Sequence, residues 1–168
     1  DQKKNIGGGW HTDHTYDLEP AMGSMLHAIE TPPNGGDTMY ASTCRAYETL
    51  SDGFKKVLEG LNAIHSSRHV FGPQARYVQK GEDTAGRLGN NEAATQDATH
   101  PLVITHPISG KKSLYINPGF TIGIEGWTDA EAEPFLKILY DHITKPEHTY
   151  RFQWQPGSLA FWDNRATW

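Results

Sequence analysis

The chain has 168 residues, room for one domain of about 150 residues with a real core. Fifteen Lys and Arg against twenty Asp and Glu give a net charge of −5, which excludes a strongly basic binder of nucleic acid or anionic membrane and leaves only a local basic groove open. Cys44 is the single cysteine, so an internal disulfide framework and a thiolate-clustered metal site are excluded, and any metal must be held by nitrogen and oxygen.

No apolar run approaches the ~20 residues of a membrane helix, and the opening stretch DQKKNIGGGW lacks the apolar centre of a signal peptide. The expectation is a soluble, cytoplasmic protein. Nine His, five Trp, seven Tyr and six Phe, with 17 Gly and 10 Pro, point to a fold of strands and turns.

Taken in chain order, Met22–Thr31 reads as a strand that runs into the turn Pro32-Pro33-Asn34-Gly35-Gly36. Thr38 opens a short strand (TMYAS) that leads into a helical stretch, CRAYETL. Ser51 caps a further helix, in which Phe54, Val57, Leu58 and Leu61 share one face of a 3.6-residue period. Asn62–His65 reads as a strand. Residues 66–99 are polar and aperiodic, the signature of a lid or insertion loop. Pro101–Thr105 and Ser113–Asn117 flank a turn-rich connector and form a hairpin. Thr128 caps an amphipathic helix carrying Phe135, Leu136, Ile138, Leu139 and Ile143, with Pro134 early enough to be tolerated with a kink. Tyr150, Phe152 and Trp154 alternate with polar residues as a half-buried strand, and LAFW follows after a Pro-Gly turn. About seven strands and two or three helices, not alternating one for one, suggest a mainly β antiparallel sandwich or barrel with flanking helices on one side.

Three local features could carry chemistry. In Trp10-His11-Thr12-Asp13-His14, an extended backbone would put His11 and Asp13 on one face and His14 on the other. One imidazole and one carboxylate would then converge, as in the two-His-one-carboxylate iron site, although so short a pattern is more often a surface or hydrogen-bonded pair. Gly35-Gly36-Asp37-Thr38 reads by itself as a glycine turn. Phe161-Trp162-Asp163-Asn164-Arg165 reads by itself as a strand entering an Asx-type turn. None of the three decides a function alone.

Their joint order is far more specific. W-H-T-D, P-x-G-G-D-T, T-H-P-x-S-G-K, I-T-K-P-E and W-D-N-R-x-T follow one another along nearly the whole chain, and this order closely resembles the taurine dioxygenase family of Fe(II)- and 2-oxoglutarate-dependent enzymes, which includes alkylsulfatase and phenoxyalkanoate dioxygenases. The resemblance implies a double-stranded β-helix, the cupin-like jelly roll, in a single partial dioxygenase domain over residues 1–168. It implies that His11 and Asp13 are two of three iron ligands and that Thr38 hydrogen-bonds the distal carboxylate of 2-oxoglutarate. Trp162 would line the iron and co-substrate pocket, and Phe71 and Phe120 the substrate cavity, where they otherwise read as core aromatics.

The implied activity is hydroxylation of a small acidic organic substrate, of the sulfonate, sulfate ester or aryloxyalkanoate class, using dioxygen and releasing succinate and carbon dioxide. The family also implies a third histidine ligand directly after position 168, an arginine for the co-substrate further on, and a substrate-binding segment before the metal motif. The chain is therefore expected to be cut at both ends, with His106 and His100 the other histidines weighed as third ligand. Gly7 stands where a taurine-specific enzyme has asparagine, which argues against taurine itself. The partners expected are a small acidic molecule, neither nucleic acid nor membrane, and a second copy of the chain, since oligomers are common in the family. Two rivals remain at this point: a non-catalytic jelly-roll relative that binds a small acid or a protein, and a metal-dependent isomerase or hydrolase on a cupin-like barrel.

Overall fold

The computed structural model describes residues 8–73, 75 and 95–168. The described residues hold nine strands and three α-helices. In order these are β1 (Gly23–His27), β2 (Thr38–Ala41), α1 (Thr43–Glu48), α2 (Asp52–Leu58), β3 (Asn62–Ser66), β4 (Asp97–Pro101), β5 (Val103–Thr105), β6 (Lys112–Leu114), β7 (Thr121–Ile124), α3 (Asp129–Ile143), β8 (Thr149–Phe152) and β9 (Leu159–Asp163). Every pairing is antiparallel: β1 with β9, β2 with β8, β5 with β6, and β3 between β4 and β7.

Early strands thus pair with late ones, and this closure brings the sequence motifs together. Ser24 of β1 lies opposite Trp162 of β9, and Thr38 of β2 lies opposite Phe152 of β8. The hairpin expected around residues 106–111 is present, with Val103 opposite Leu114.

Two helices begin where the sequence reading places their caps, at Ser51 and Thr128, and α1 begins at Thr43 behind a cap at Ser42 that the sequence reading placed in the preceding strand. Ser42 and Ser51 each accept a backbone N–H of their helix through Oγ, and Thr128 and Glu131 form a capping box at the start of α3. Such caps satisfy N–H groups that the helix itself leaves without partners, for about 1 kcal/mol each. Pro134 lies inside α3, which continues through it to Ile143. Leu136, Leu139 and Ile143 of α3 meet Leu58, Leu114 and Ile124 in one buried cluster, so the helices cover the apolar face of the strands.

Several local expectations are corrected. Val57 is exposed rather than packed beside Leu58, because α2 has seven residues and Gly60, at φ +80°, turns the chain so that Leu61 rather than Val57 completes the buried stripe. Tyr150 also faces solvent, and only Phe152 and Trp154 of that alternation are half-buried. The stretch expected as a lid or insertion loop over 66–99 lies mostly outside the described residues, and its two ends are strand, Ser66 in β3 and Asp97–Thr99 in β4.

His65, in the middle of β3, has no solvent exposure, and its Nε2 has no hydrogen-bonding partner. Burial, with the neighbouring His100 second, pushes its imidazole down to about 3. An unfolded histidine titrates near 6.5, so between these values the unfolded chain binds a proton that the native chain refuses. This contribution to stability is complete above about pH 6.5 and is lost as pH falls toward 3, at up to about 1.4 kcal/mol per pH unit. Chemical denaturation of the parent and of His65→Gln between pH 7 and 4.5 should show a shallower pH slope for the variant, by about 1 kcal/mol per unit. Equal slopes would exclude His65 as the source.

Candidate active site

The W-H-T-D stretch is not a strand, as the sequence reading assumed. Residues 11 and 12 have no regular structure, and Asp13–Tyr16 form a turn in which His14 has a positive φ of 65°. His14 is turned toward Asp17, 2.8 Å from its carboxylate. His11 and Asp13 nonetheless lie on one side, with Nε2 and Oδ1 3.6 Å apart and both side chains about one-third exposed. The His11 Nδ1–H donates to the Gly9 carbonyl at 2.8 Å, which leaves the Nε2 lone pair facing Asp13.

A second layer of hydrogen bonds fixes this stretch from both sides. Thr12 Oγ1 donates to the carbonyl of Asn164 at 3.0 Å, so the residue between the two candidate ligands is tied to the end of β9. Asn117, fully buried, donates through Nδ2 to Thr15 Oγ1 and accepts the Phe120 N–H on Oδ1. Asn117 thereby joins the turn after Asp13 to the Gly119-Phe120 segment. Gly119 needs to be glycine, since a Cβ there would lie 2.7 Å from the His11 Cβ.

His11 and Asp13 open onto a cavity of about 1000 Å³, whose lining also includes Ser24, Thr38, Tyr40 and Trp162. Of the residues singled out from sequence, His11, Asp13, Thr38 and Trp162 are therefore brought together. Gly35 and Gly36, at φ 74° and 77°, let the chain turn sharply just before Thr38. Thr38 Oγ1 accepts the indole N–H of Trp154 at 2.9 Å, which leaves the threonine proton free to be donated. Trp154 was legible only as one residue of an alternating strand. Its role follows from the β2–β8 pairing, which sequence does not display.

Phe71 and Phe120 are not part of that lining. They stack with ring centroids 6.4 Å apart, Phe120 lies edge-on to His11 at 6.5 Å, and Tyr16 packs on Phe120 at 4.7 Å. Tyr16 went unnoticed in the sequence, although it follows the metal motif within the same turn. Burial, helped by Asp17 and Asp13, pushes its hydroxyl up to about 12, so it stays protonated.

His106 and His100 are engaged elsewhere. His106 Nδ1 accepts the N–H groups of Ile108 and Ser109, so Nε2 carries the proton and donates to Asp163 at 2.9 Å. Arg165 grips the same carboxylate through Nε and Nη2, and this clamp, more than the histidine, holds Asp163 far below the usual carboxylate range. His100 Nε2 donates to the Asp17 carbonyl. Neither can stand in as third ligand, and among the described residues no group of three His, Cys, Asp or Glu is placed to hold a metal. Gly7, the position read against taurine, lies outside the described residues.

The two donors present suit a divalent cation with borderline preferences. One imidazole nitrogen whose other nitrogen is fixed by a carbonyl, and one carboxylate, form an N,O pair of the kind that non-haem iron takes. Their separation of 3.6 Å lies within the span of a single ion with bonds of about 2.0–2.2 Å.

The chain is similar to known proteins along nearly its whole length. An alkylsulfatase of Acinetobacter baylyi is 38% identical over 168 residues, covering 99% of this chain and 52% of its own. An alpha-ketoglutarate-dependent 2,4-dichlorophenoxyacetate dioxygenase of a Burkholderia species is 37% identical over 157 residues, covering 94% and 50%. The crystal structure of a taurine dioxygenase from Burkholderia xenovorans superposes with a TM-score of 0.78 at 38% identity, over 95% of this chain and 49% of that one. The expected jelly roll is the fold these structures share. The chain spans about half the length of these relatives. No helix among the described residues is long and apolar enough to cross a membrane. All 168 residues match the family described as "Taurine catabolism dioxygenase TauD, TfdA family", and the chain belongs to it.

Proposed function

We propose that this chain supplies His11 and Asp13 as two ligands of an Fe(II) centre, and the binding wall for 2-oxoglutarate, in a dioxygenase that hydroxylates a small acidic organic molecule. The observation that carries the reading is the His11 Nε2 to Asp13 Oδ1 approach of 3.6 Å on the wall of the cavity that Thr38 also lines. When bound, Fe(II) with 2-oxoglutarate and dioxygen supplies the oxidising power, one oxygen atom ending in succinate with loss of carbon dioxide and the other in a substrate C–H bond.

The chain's own residues bind and orient. His11 and Asp13 offer an imidazole nitrogen and a carboxylate oxygen side by side. Thr38, with its oxygen already occupied by Trp154, presents its proton to a carboxylate. Trp162, packed against Tyr40 with ring centroids 5.3 Å apart, gives the cavity a flat apolar wall that limits water near the reacting atoms. The Tyr16, Phe71 and Phe120 group, in contact with His11, is the surface we assign to the substrate's apolar body. The sulfonate, sulfate ester and aryloxyalkanoate classes are supported by the names of the relatives, which include sulfonate, sulfate ester and dichlorophenoxyacetate dioxygenases.

Addition of Fe(II) and then 2-oxoglutarate to the purified protein without oxygen should give the weak visible charge-transfer band of the chelate. Admission of oxygen with sulfonates, sulfate esters or aryloxy acids should then form succinate. If no band develops, the same test on a chain that continues past Trp168 decides: a band there supports the reading, and none there makes the protein a non-catalytic relative and the reading wrong. Turnover that needs the metal but not 2-oxoglutarate would favour an isomerase or hydrolase instead.

A further inference from the structure

The Asp13 carboxylate has two oxygens, and only Oδ1 faces His11. Oδ2 lies 3.3 Å from the hydroxyl of Ser24, a β1 residue that the sequence did not single out. That hydroxyl has one proton and two acceptors within reach, since Asn164 Oδ1 is 3.2 Å away. A charged oxygen is the stronger acceptor, so the proton goes to Asp13, and Asn164 Nδ2, at 3.1 Å, donates to the serine oxygen in return.

Asn164 is well fixed for this task. It is 1% exposed, its N–H donates to the Met22 carbonyl, and Nδ2 also reaches the Ala21 carbonyl. Its own carbonyl accepts the Thr12 hydroxyl, so one buried side chain and its peptide hold the stretch between the two candidate ligands and the serine behind one of them. A donor on the outer oxygen of a metal-ligating carboxylate restricts rotation of that carboxylate and so keeps the inner oxygen on target.

We propose that Ser24 is a positioning residue: backed by Asn164, its hydroxyl holds Asp13 Oδ2 so that Oδ1 stays on the His11 side, toward a divalent cation. This rests on the metal reading given above. It predicts a defect in cation binding before any co-substrate or substrate arrives.

The test is a titration of the metal-free full chain with Co(II), whose d–d absorption reports both affinity and coordination. Ser24→Ala should lower Co(II) affinity about tenfold and change the shape of the band, while Ser24→Thr, which restores a hydroxyl on a strand that suits a β-branched residue, should recover both. The metal-free melting temperatures of the three proteins should agree. Parent-like affinity and spectrum in Ser24→Ala would overturn the proposal. So would an affinity lost equally in Ser24→Thr, or lost in step with melting temperature, because the strand and not the hydroxyl would then be responsible. A parent that binds no Co(II), or a His11→Ala protein that binds it as tightly as the parent, would instead bring down the metal reading itself.

Discussion

Replacing His11 with alanine is expected to abolish the charge-transfer band with Fe(II) and 2-oxoglutarate and to weaken Fe(II) binding by more than the 10–100-fold that loss of an outer-shell partner typically costs (about 1.4–2.8 kcal/mol). The substitution removes one of two donors outright. Asp13, part-exposed and hydrogen-bonded to Ser24, would remain as a lone carboxylate. The fold should survive, because His11 is a half-buried side chain on an irregular segment held mainly by its neighbours Trp10 and Thr12. His14→Ala is the matched control, for that ring is turned away and pairs with Asp17. Measured side by side by anaerobic absorption and metal titration, His11→Ala should lose the band and His14→Ala keep it. The reverse pattern would mean that the wrong histidine has been placed in the site.

Gly119→Ala should damage the same site without touching a donor atom. The new Cβ would sit 2.7 Å from the His11 Cβ and 3.1 Å from Asn117 Oδ1. Neither obstacle is a flexible side-chain end: the His11 Cβ moves only with its backbone, and Asn117 Oδ1 already accepts the Phe120 N–H. The strain must therefore be relieved by shifting the His11 backbone, at a cost of about 1–3 kcal/mol in stability. Because ligand placement is sensitive to such shifts, metal affinity should fall about tenfold or more as well. Gly123→Ala, where a Cβ meets nothing within 4 Å, should cause neither change. Comparing both variants by thermal melting and by metal titration checks the claim, and equal behaviour of the two would refute it.

The elements that carry local signals were readable from the amino-acid order. The helix caps at Ser51 and Thr128 and the hairpin flanking residues 106–111 all form as expected, since capping, turn chemistry and periodicity act within a few residues. Val57 and Tyr150 were misread because burial depends on where an element stops and what it packs against. The His11–Asp13 pair was anticipated on the premise of an extended strand, and the two side chains approach to 3.6 Å although the segment is not a strand and runs into a turn at Asp13. Three residues around the candidate site left no usable signal: Trp154, Asn117 and Ser24. Trp154, Asn117 and Ser24 act through partners distant in sequence, Thr38, Thr15 and Asn164, and such pairings exist only once the strands are laid side by side. Tyr16 could have been found by asking which aromatic follows the metal motif within one turn.

The tie between Thr12 and Asn164 joins positions 152 residues apart, and the tie between Ser24 and Asn164 joins positions 140 apart. Contacts of such high sequence separation carry the largest loop-closure cost and are reached late in folding. On the ribosome, the segment around His11 and Asp13 leaves the exit tunnel well before Asn164, its buried anchor, does. Until β9 docks beside β1, the stretch between the two candidate ligands lacks these ties, so the proposed cation site gains its outer support only with that long-range pairing.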